Sequence, residues 1–186
     1  MKSTTFFLFN VTLRKRMMFM YWYLIQDHNN ISKSSINFFN KEKDTQAFEI
    51  KIEKWFGSKK YRKYIIQDIY PGYVFVKTIL NEEIFLKTYS DYFESIKLLA
   101  TLIKQGDTYA LAKEVQSFYE KLIDSQNIIR HSIGNIVDSQ LIIETGPLVG
   151  LEDKISKINR HKRIAEIRLD QNDMKISCPL EVVSKS

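Results

Sequence analysis

The sequence predicts an α+β protein in two parts, an antiparallel sheet carrying helices followed by a small β-barrel. Three observations predict it. Over residues 20–125, strand-type runs with alternating apolar residues are interleaved with stretches of helical spacing. From residue 128 onward the chain breaks into short β-type segments separated by turn residues, with no helical periodicity. Between these textures lies the polar stretch Ser125-Gln126-Asn127, the expected boundary, giving a first domain over 20–125 and a second over 126–186.

Residues 1–19 read as a leader outside both domains. Lys2 ahead of the apolar run 6–9 hints at a signal peptide. The run is broken by Asn10 and Thr12, and Arg14-Lys15-Arg16 follows without a small-residue cleavage site. The leader is therefore expected to be a disordered tail or an upstream misreading of the start. Residues 20–26 predict a strong strand, with Tyr21, Tyr23 and Ile25 on one face and Trp22, Leu24 and Gln26 on the other. The polar break Asp27-His28-Asn29-Asn30 offers a cap for a helix over 32–40, with Ile31, Ile36 and Phe39 inward. A second strand is expected over 48–55 and a turn at Gly57-Ser58-Lys59-Lys60. A return strand over 61–69 follows.

Tyr70-Pro71-Gly72 then marks a tight turn, since proline presets φ and glycine accepts positive φ. The strand that follows places Tyr73, Phe75 and Lys77 on one face and Val74 and Val76 on the other. Small β-branched residues suit a covered face. Two aromatics and a cation suit either a binding face or a second buried layer, and the stretch alone leaves both open. Asn81 with Glu82-Glu83 predicts a capped helix, its acids at the positive end of the helix dipole. Residues 95–102 fit a strand or a helix. Residues 107–124 form the clearest helical pattern, through Leu111, Val115, Phe118, Tyr119 and Leu122. In the C-terminal part, β-type segments are expected at 128–130, 133–137, 141–144, 154–158, 163–169 and 174–178. That many short strands predict a closed barrel.

Composition narrows the function classes. Hydrophobic content of 44% supports a folded core, and 27% charged residues argue for a soluble protein. With 10 Tyr and 12 Phe, more ring surface is present than a small core usually needs. One cysteine, Cys178, excludes an intrachain disulfide, fits a reducing cytoplasm and reads as a small core residue. Three scattered histidines give no zinc spacing, so no metal or cofactor is expected. No apolar run of about 18 residues is present, so no membrane span is expected. The net charge of +6 suggests a polyanionic partner, but four of the cations lie in residues 1–19 with no acid among them. Any nucleic-acid site further along must be a local patch. No Gly-rich phosphate loop or nucleophile–base motif is present, and no enzyme activity is expected.

Residues 142–158 resemble the KOW motif, centred on Gly146-Pro147-Leu148-Val149-Gly150-Leu151-Glu152, with the two glycines bracketing a tight loop. Trp22-Tyr23-Leu24-Ile25-Gln26 resembles the opening strand of the NusG N-terminal domain, and Tyr70 to Val76 resembles that domain's signature strand. Residues 128–134 and 158–165, the latter including Arg160-His161-Lys162-Arg163, are similar to the LoaP-type specialised NusG paralogues. The chain departs from the family pattern in residues 26–48, which lack the usual Gly and Glu soon after the first strand, and in a short loop before Tyr61.

The resemblance implies a NusG N-terminal-type domain followed by an SH3-like KOW barrel. It implies a cytoplasmic, monomeric factor for transcription elongation and antitermination. Its N-terminal domain would dock on the clamp helices of RNA polymerase, through Tyr70 and Tyr73 with Trp22 and Phe75, and oppose pausing and termination. The same aromatics would otherwise be core packing. The KOW unit would face nascent RNA, a hairpin included, or a partner protein, with DNA of the elongation complex as a further contact. Arg160, His161, Lys162 and Arg163 fall in a turn between two strands, and Lys157, Arg168 and Lys175 extend that patch. The bland alternative is a solvated hairpin tip. Two other readings compete. One is a general NusG whose KOW domain recruits a termination factor or ribosomal protein, the other a ribosome-associated KOW RNA-binding protein.

Overall fold

The computed structural model describes residues 20–57, 62–168 and 175–185. The leader at 1–19, residues 58–60 of the expected turn, and Tyr61, Leu169 and Met174 at expected strand ends lie outside the described residues. In chain order the elements are β1 (Tyr21–Asp27), α1 (Ser32–Phe39), β2 (Thr45–Phe48), β3 (Lys51–Gly57), β4 (Arg62–Asp68), β5 (Tyr73–Thr78), α2 (Glu82–Thr88), α3 (Ser90–Ile96), β6 (Ala100–Leu102), α4 (Lys113–Leu122), β7 (Ile128–Ile129), β8 (Ser132–Val137), β9 (Gln140–Thr145), a 3-10 turn at Glu152–Lys154, β10 (Ile155–Asn159), β11 (Ile164–Arg168) and β12 (Lys175–Lys185). The class is α+β. Two compact units are formed, and neither is a continuous block. One joins residues 20–47 to Gly72–Leu111, the other joins Phe48–Pro71 to residues 112–185.

The first unit is built on a sheet of order β2-β5-β1-β6. At its centre β1 runs antiparallel to β5, with Tyr23 opposite Val76 and Ile25 opposite Val74. Those four side chains form one face of the sheet, and α1, α2 and α3 cover it with Phe39, Phe85, Tyr89 and Ile96. The Tyr23 ring stacks on Phe85 at 3.8 Å, and its hydroxyl donates to the Leu80 carbonyl at 3.0 Å. Burying a ring of this size contributes on the order of 2–3 kcal/mol.

The local signals explain most boundaries, and the exceptions have identifiable causes. Asn81 caps α2 as expected, its side chain accepting from Ile84 N at 3.0 Å. The first helix has no side-chain cap on Ile31, its N-cap residue. Asp27 supplies the acceptor instead: Oδ2 takes the Ser32 backbone N–H and hydroxyl, each at 2.7 Å. The expected 48–55 strand is interrupted at Glu49-Ile50 and becomes β2 and β3. The ambiguous stretch 95–102 divides into the end of α3 and the short strand β6. The expected helix over 107–124 begins only at Lys113. Upstream of it, Ala110 bridges to Tyr23, and Glu82 accepts from the Thr108 hydroxyl and from Tyr109 N. Hydrogen bonds to neighbouring strands and loops override helical propensity there.

In the second unit β3 and β4 form a ribbon, in register from Lys51 opposite Asp68 to Gly57 opposite Arg62, and β7 adds to β3 in parallel. The C-terminal sheet has the order β10-β11-β12-β8-β9, with β12 parallel to β8. The expected closed barrel is therefore not formed among the described residues, because β9 and β10 stand at opposite ends of the sheet. The chain between them is a loop, and its Leu148 and Leu151 are buried, so part of this core comes from loop residues rather than from paired strands. Ser125-Gln126-Asn127 is not a loose linker. Asp124 Oδ1 accepts from Gln126 N at 2.8 Å and Ile128 N at 3.0 Å, and Asn127 adopts φ +59°.

Phe39 is fully buried among five other rings, so Phe39→Ala is expected to lower unfolding stability by about 3–5 kcal/mol, measurable by urea denaturation.

Candidate functional site

The aromatic residues of the signature strand are placed unequally. Trp22 is 1% exposed and Phe75 3% exposed, and their rings meet edge to face at 6.2 Å. Lys77 lies over the Trp22 ring with Nζ 5.3 Å from its centroid. These two rings are packed inside the protein. Tyr73 is half-buried at the start of β5, opposite Gln26. Tyr70 belongs to the second unit, where its hydroxyl accepts from that of Tyr119 at 2.9 Å. The two tyrosines thus sit in separate units. Gly72 between them has φ +80°, and a Cβ there would come 3.1 Å from the Asp27 carbonyl.

The KOW-type loop follows β9. Gly146 and Gly150 adopt φ +97° and +71°, backbone that only glycine takes without strain. A Cβ on Gly146 would stand 2.5 Å from Ser132 Oγ, an atom that accepts from Leu148 N at 3.1 Å. Pro147 is half-buried beside it.

Residues 160–163 form the turn between β10 and β11 as expected. Arg160, His161 and Lys162 are exposed, and Lys162 N donates to Asn159 Oδ1 at 2.9 Å. Arg163 differs from them. It adopts φ +52°, which costs a bulky residue about 1 kcal/mol or more, and its neighbours hold it there. Its guanidinium lies 3.6 Å from the Trp55 ring centroid and pairs with Glu181 at 2.5 Å. Leu180 N donates to its carbonyl at 2.9 Å. Arg163 is therefore a packed cation on the inner side of the turn.

Lys157, Arg168 and Lys175 are all exposed. Arg168 stands directly opposite Lys175, and Lys157 opposite Glu166, 4.0 Å from its carboxylate. Strand alternation then puts Lys157, Arg168 and Lys175 on one face of the C-terminal sheet.

The residues that lock the ribbon to this sheet, Glu53, Tyr64, Arg130 and His131, are not among the expected site residues. The Glu53 carboxylate accepts from Arg130 Nη1 at 2.9 Å, from His131 N at 2.9 Å and from His131 Nδ1 at 2.6 Å. An ionised carboxylate only accepts, so Nδ1 carries the proton. Arg130 also donates through Nε to Asp124 at 2.6 Å. Tyr64 stacks on the His131 ring at 4.2 Å and donates to Glu181 Oε2 at 2.9 Å. The available signal was Trp55 and Tyr64 at alternating strand positions. That they stand opposite each other depended on the ribbon's register. Among the described residues no group of His, Cys, Asp and Glu could hold a metal ion, and no helix is long and apolar enough to cross a membrane.

Burial pushes the Glu53 carboxyl up, but the hydrogen bonds from His131 and Arg130 together outweigh it and hold its pKa at about 2, against an ordinary value of 4.5. A depressed carboxylate contributes stability above its unfolded pKa and loses it as pH falls toward the folded one. The stability difference between the wild type and Glu53→Gln should be full above pH 4.5 and narrow as pH falls to about 2, as read by chemical denaturation across that range.

No protein-family model matches this chain, and no curated protein sequence matches it.

Proposed function

We propose that this chain is a non-enzymatic transcription elongation and antitermination factor of the NusG type, nearest to the LoaP-like paralogues. The observation that carries the reading is the pairing of β1 with β5. These strands carry the two stretches that resemble the NusG N-terminal domain, and they lie side by side at the centre of one sheet. The KOW-type loop adds support, because both of its glycines occupy positive φ and one of them closes against Ser132.

In this reading the factor works in the cytoplasm as a monomer. The first unit corresponds to the NusG N-terminal type and docks on the clamp helices of RNA polymerase. Of the four aromatics, Tyr70 and Tyr73 are partly exposed and Trp22 and Phe75 are buried; the Tyr70 hydroxyl is engaged by Tyr119, so Tyr73 is taken as the first contact to test. The C-terminal sheet carries the KOW unit and contacts RNA through Arg160, His161 and Lys162. Lys157, Arg168 and Lys175 supply further positive charge on its face. Cations on phosphates give affinity with little sequence information, so RNA shape contributes as much as base identity.

The primary test is transcription in vitro with polymerase from the same organism, on a template carrying the neighbouring operon's leader and an intrinsic terminator. Leader-dependent readthrough is the expected result. An effect on pausing or termination without the leader would favour a general NusG, and no polymerase binding would overturn the reading. Tyr73→Ala should weaken polymerase binding by about tenfold in a titration while leaving thermal unfolding unchanged. Arg160→Ala with Lys162→Ala should weaken RNA binding and reduce the slope of log affinity against log salt by about 2, checked by binding over a salt series.

A further inference from the structure

A partly open cavity of about 250 Å³ lies where the β3–β4 ribbon meets β11 and β12. Its aliphatic walls come from Ile52, Ile69, Ile164 and Pro179. Trp55 and Arg163, already stacked on each other, provide a flat aromatic and cationic surface. Gln67 and Ser177 are exposed side chains at the same cavity, each both donor and acceptor. The volume falls below the roughly 300–1,000 Å³ of sites for larger ligands, which suits a single ring system. Apolar walls, a stacking surface and a polar edge together match a nucleobase.

The surroundings decide which kind of base. Arg163 belongs at once to the cavity and to the basic turn, so a polyanion held by Arg160 and Lys162 reaches the cavity directly. Ile164, Glu166 and Arg168 share one sheet face with their partners Pro179, Ser177 and Lys175. Cations thus flank the cavity at both ends of β11, about 13 Å apart along the strand. The acids nearby are each matched by a cation: Glu166 stands against Lys157, Glu181 pairs with Arg163, and Glu53, which also lines the cavity, is held by Arg130 and His131. A free heterocycle would gain nothing from that flanking charge, whereas a strand of phosphates would. Bases within a paired RNA helix are stacked and out of reach, and an unpaired one is already free to leave.

We propose that this cavity receives one unpaired base of the RNA held by the basic turn, so that the preferred ligand is a hairpin with a bulged nucleotide. This rests on the RNA-contact reading above. The base stacks against the Trp55–Arg163 pair, and Gln67 and Ser177 face its edge.

The test uses the full chain and fluorescence anisotropy with five labelled RNA hairpins. One is fully paired, and four differ from it by a single bulged A, C, G or U. At least one bulged hairpin should bind about tenfold more tightly than the paired one, the scale of one base stack. Ser177→Tyr, which places a ring at the cavity from an exposed strand position, should abolish that ratio. Gln67→Ala should reduce it, and thermal unfolding checks that both variants fold. Arg160→Ala with Lys162→Ala should weaken every hairpin together. Equal affinity for all five hairpins, or a ratio that survives both cavity variants, overturns the cavity assignment and leaves RNA contact standing. Competition of the bulge preference by a free nucleoside monophosphate at equal concentration also overturns it, since the cavity would then not need the flanking phosphates. Binding of no hairpin overturns the RNA-contact reading and this one with it.

Discussion

The arrangement of the second unit depends on one carboxylate. Glu53 sits midway along a ribbon strand, and the hydrogen bonds it accepts from Arg130 and His131 tie that strand to the segment leading into β8. Arg130 is held in turn by Asp124, which also shapes the turn before β7. A two-stranded ribbon is marginal by itself in water. Here the pairing with β7, the stack of Tyr64 on His131 and the charge-assisted bonds to Glu53 supply what a larger sheet would.

Arg163 shows the consequence for function. An arginine in a hairpin turn is usually read as a free cation. In this structure the ribbon provides Trp55 for its planar face and Tyr64 beside Glu181, so the side chain turns inward even though its backbone occupies an unfavourable region. The basic turn is thereby divided. Arg160, His161 and Lys162 face solvent, while Arg163 forms part of a cavity wall. A site that joins exposed charge to a sheltered stacking surface can distinguish an irregular polyanion from a regular one, which uniform surface charge cannot do.

The first unit shows a similar division on its sheet. One face is filled by rings from three helices around Tyr23 and Val76, which fixes the fold. On the other face Trp22 and Phe75 are buried against each other, with the stem and charge of Lys77 over the indole. Both faces are apolar at their centre, so β1 and β5 are central strands in composition as well as in position. Among the described residues, many of the aromatic side chains pack in these two layers.

By itself the sequence determined the local features: the first strand, expected at 20–26 and found at Tyr21–Asp27, the Pro71-Gly72 turn, the Asn81 cap, the α+β class and the loop bracketed by Gly146 and Gly150. Each depends on residues within one or two turns of chain, where periodicity and φ preference act directly. Only the tertiary structure decided which strands became neighbours. The pairing of β12 with β8, the sheet left open among the described residues in place of a barrel, the delayed start of α4 and the union of the ribbon with the C-terminal part all rest on contacts between residues far apart in sequence. The same holds for the inward turn of Arg163, because Trp55, Tyr64 and Glu181 come from three separate strands. A residue's local pattern says what it can pair with. The folded chain decides what stands within reach.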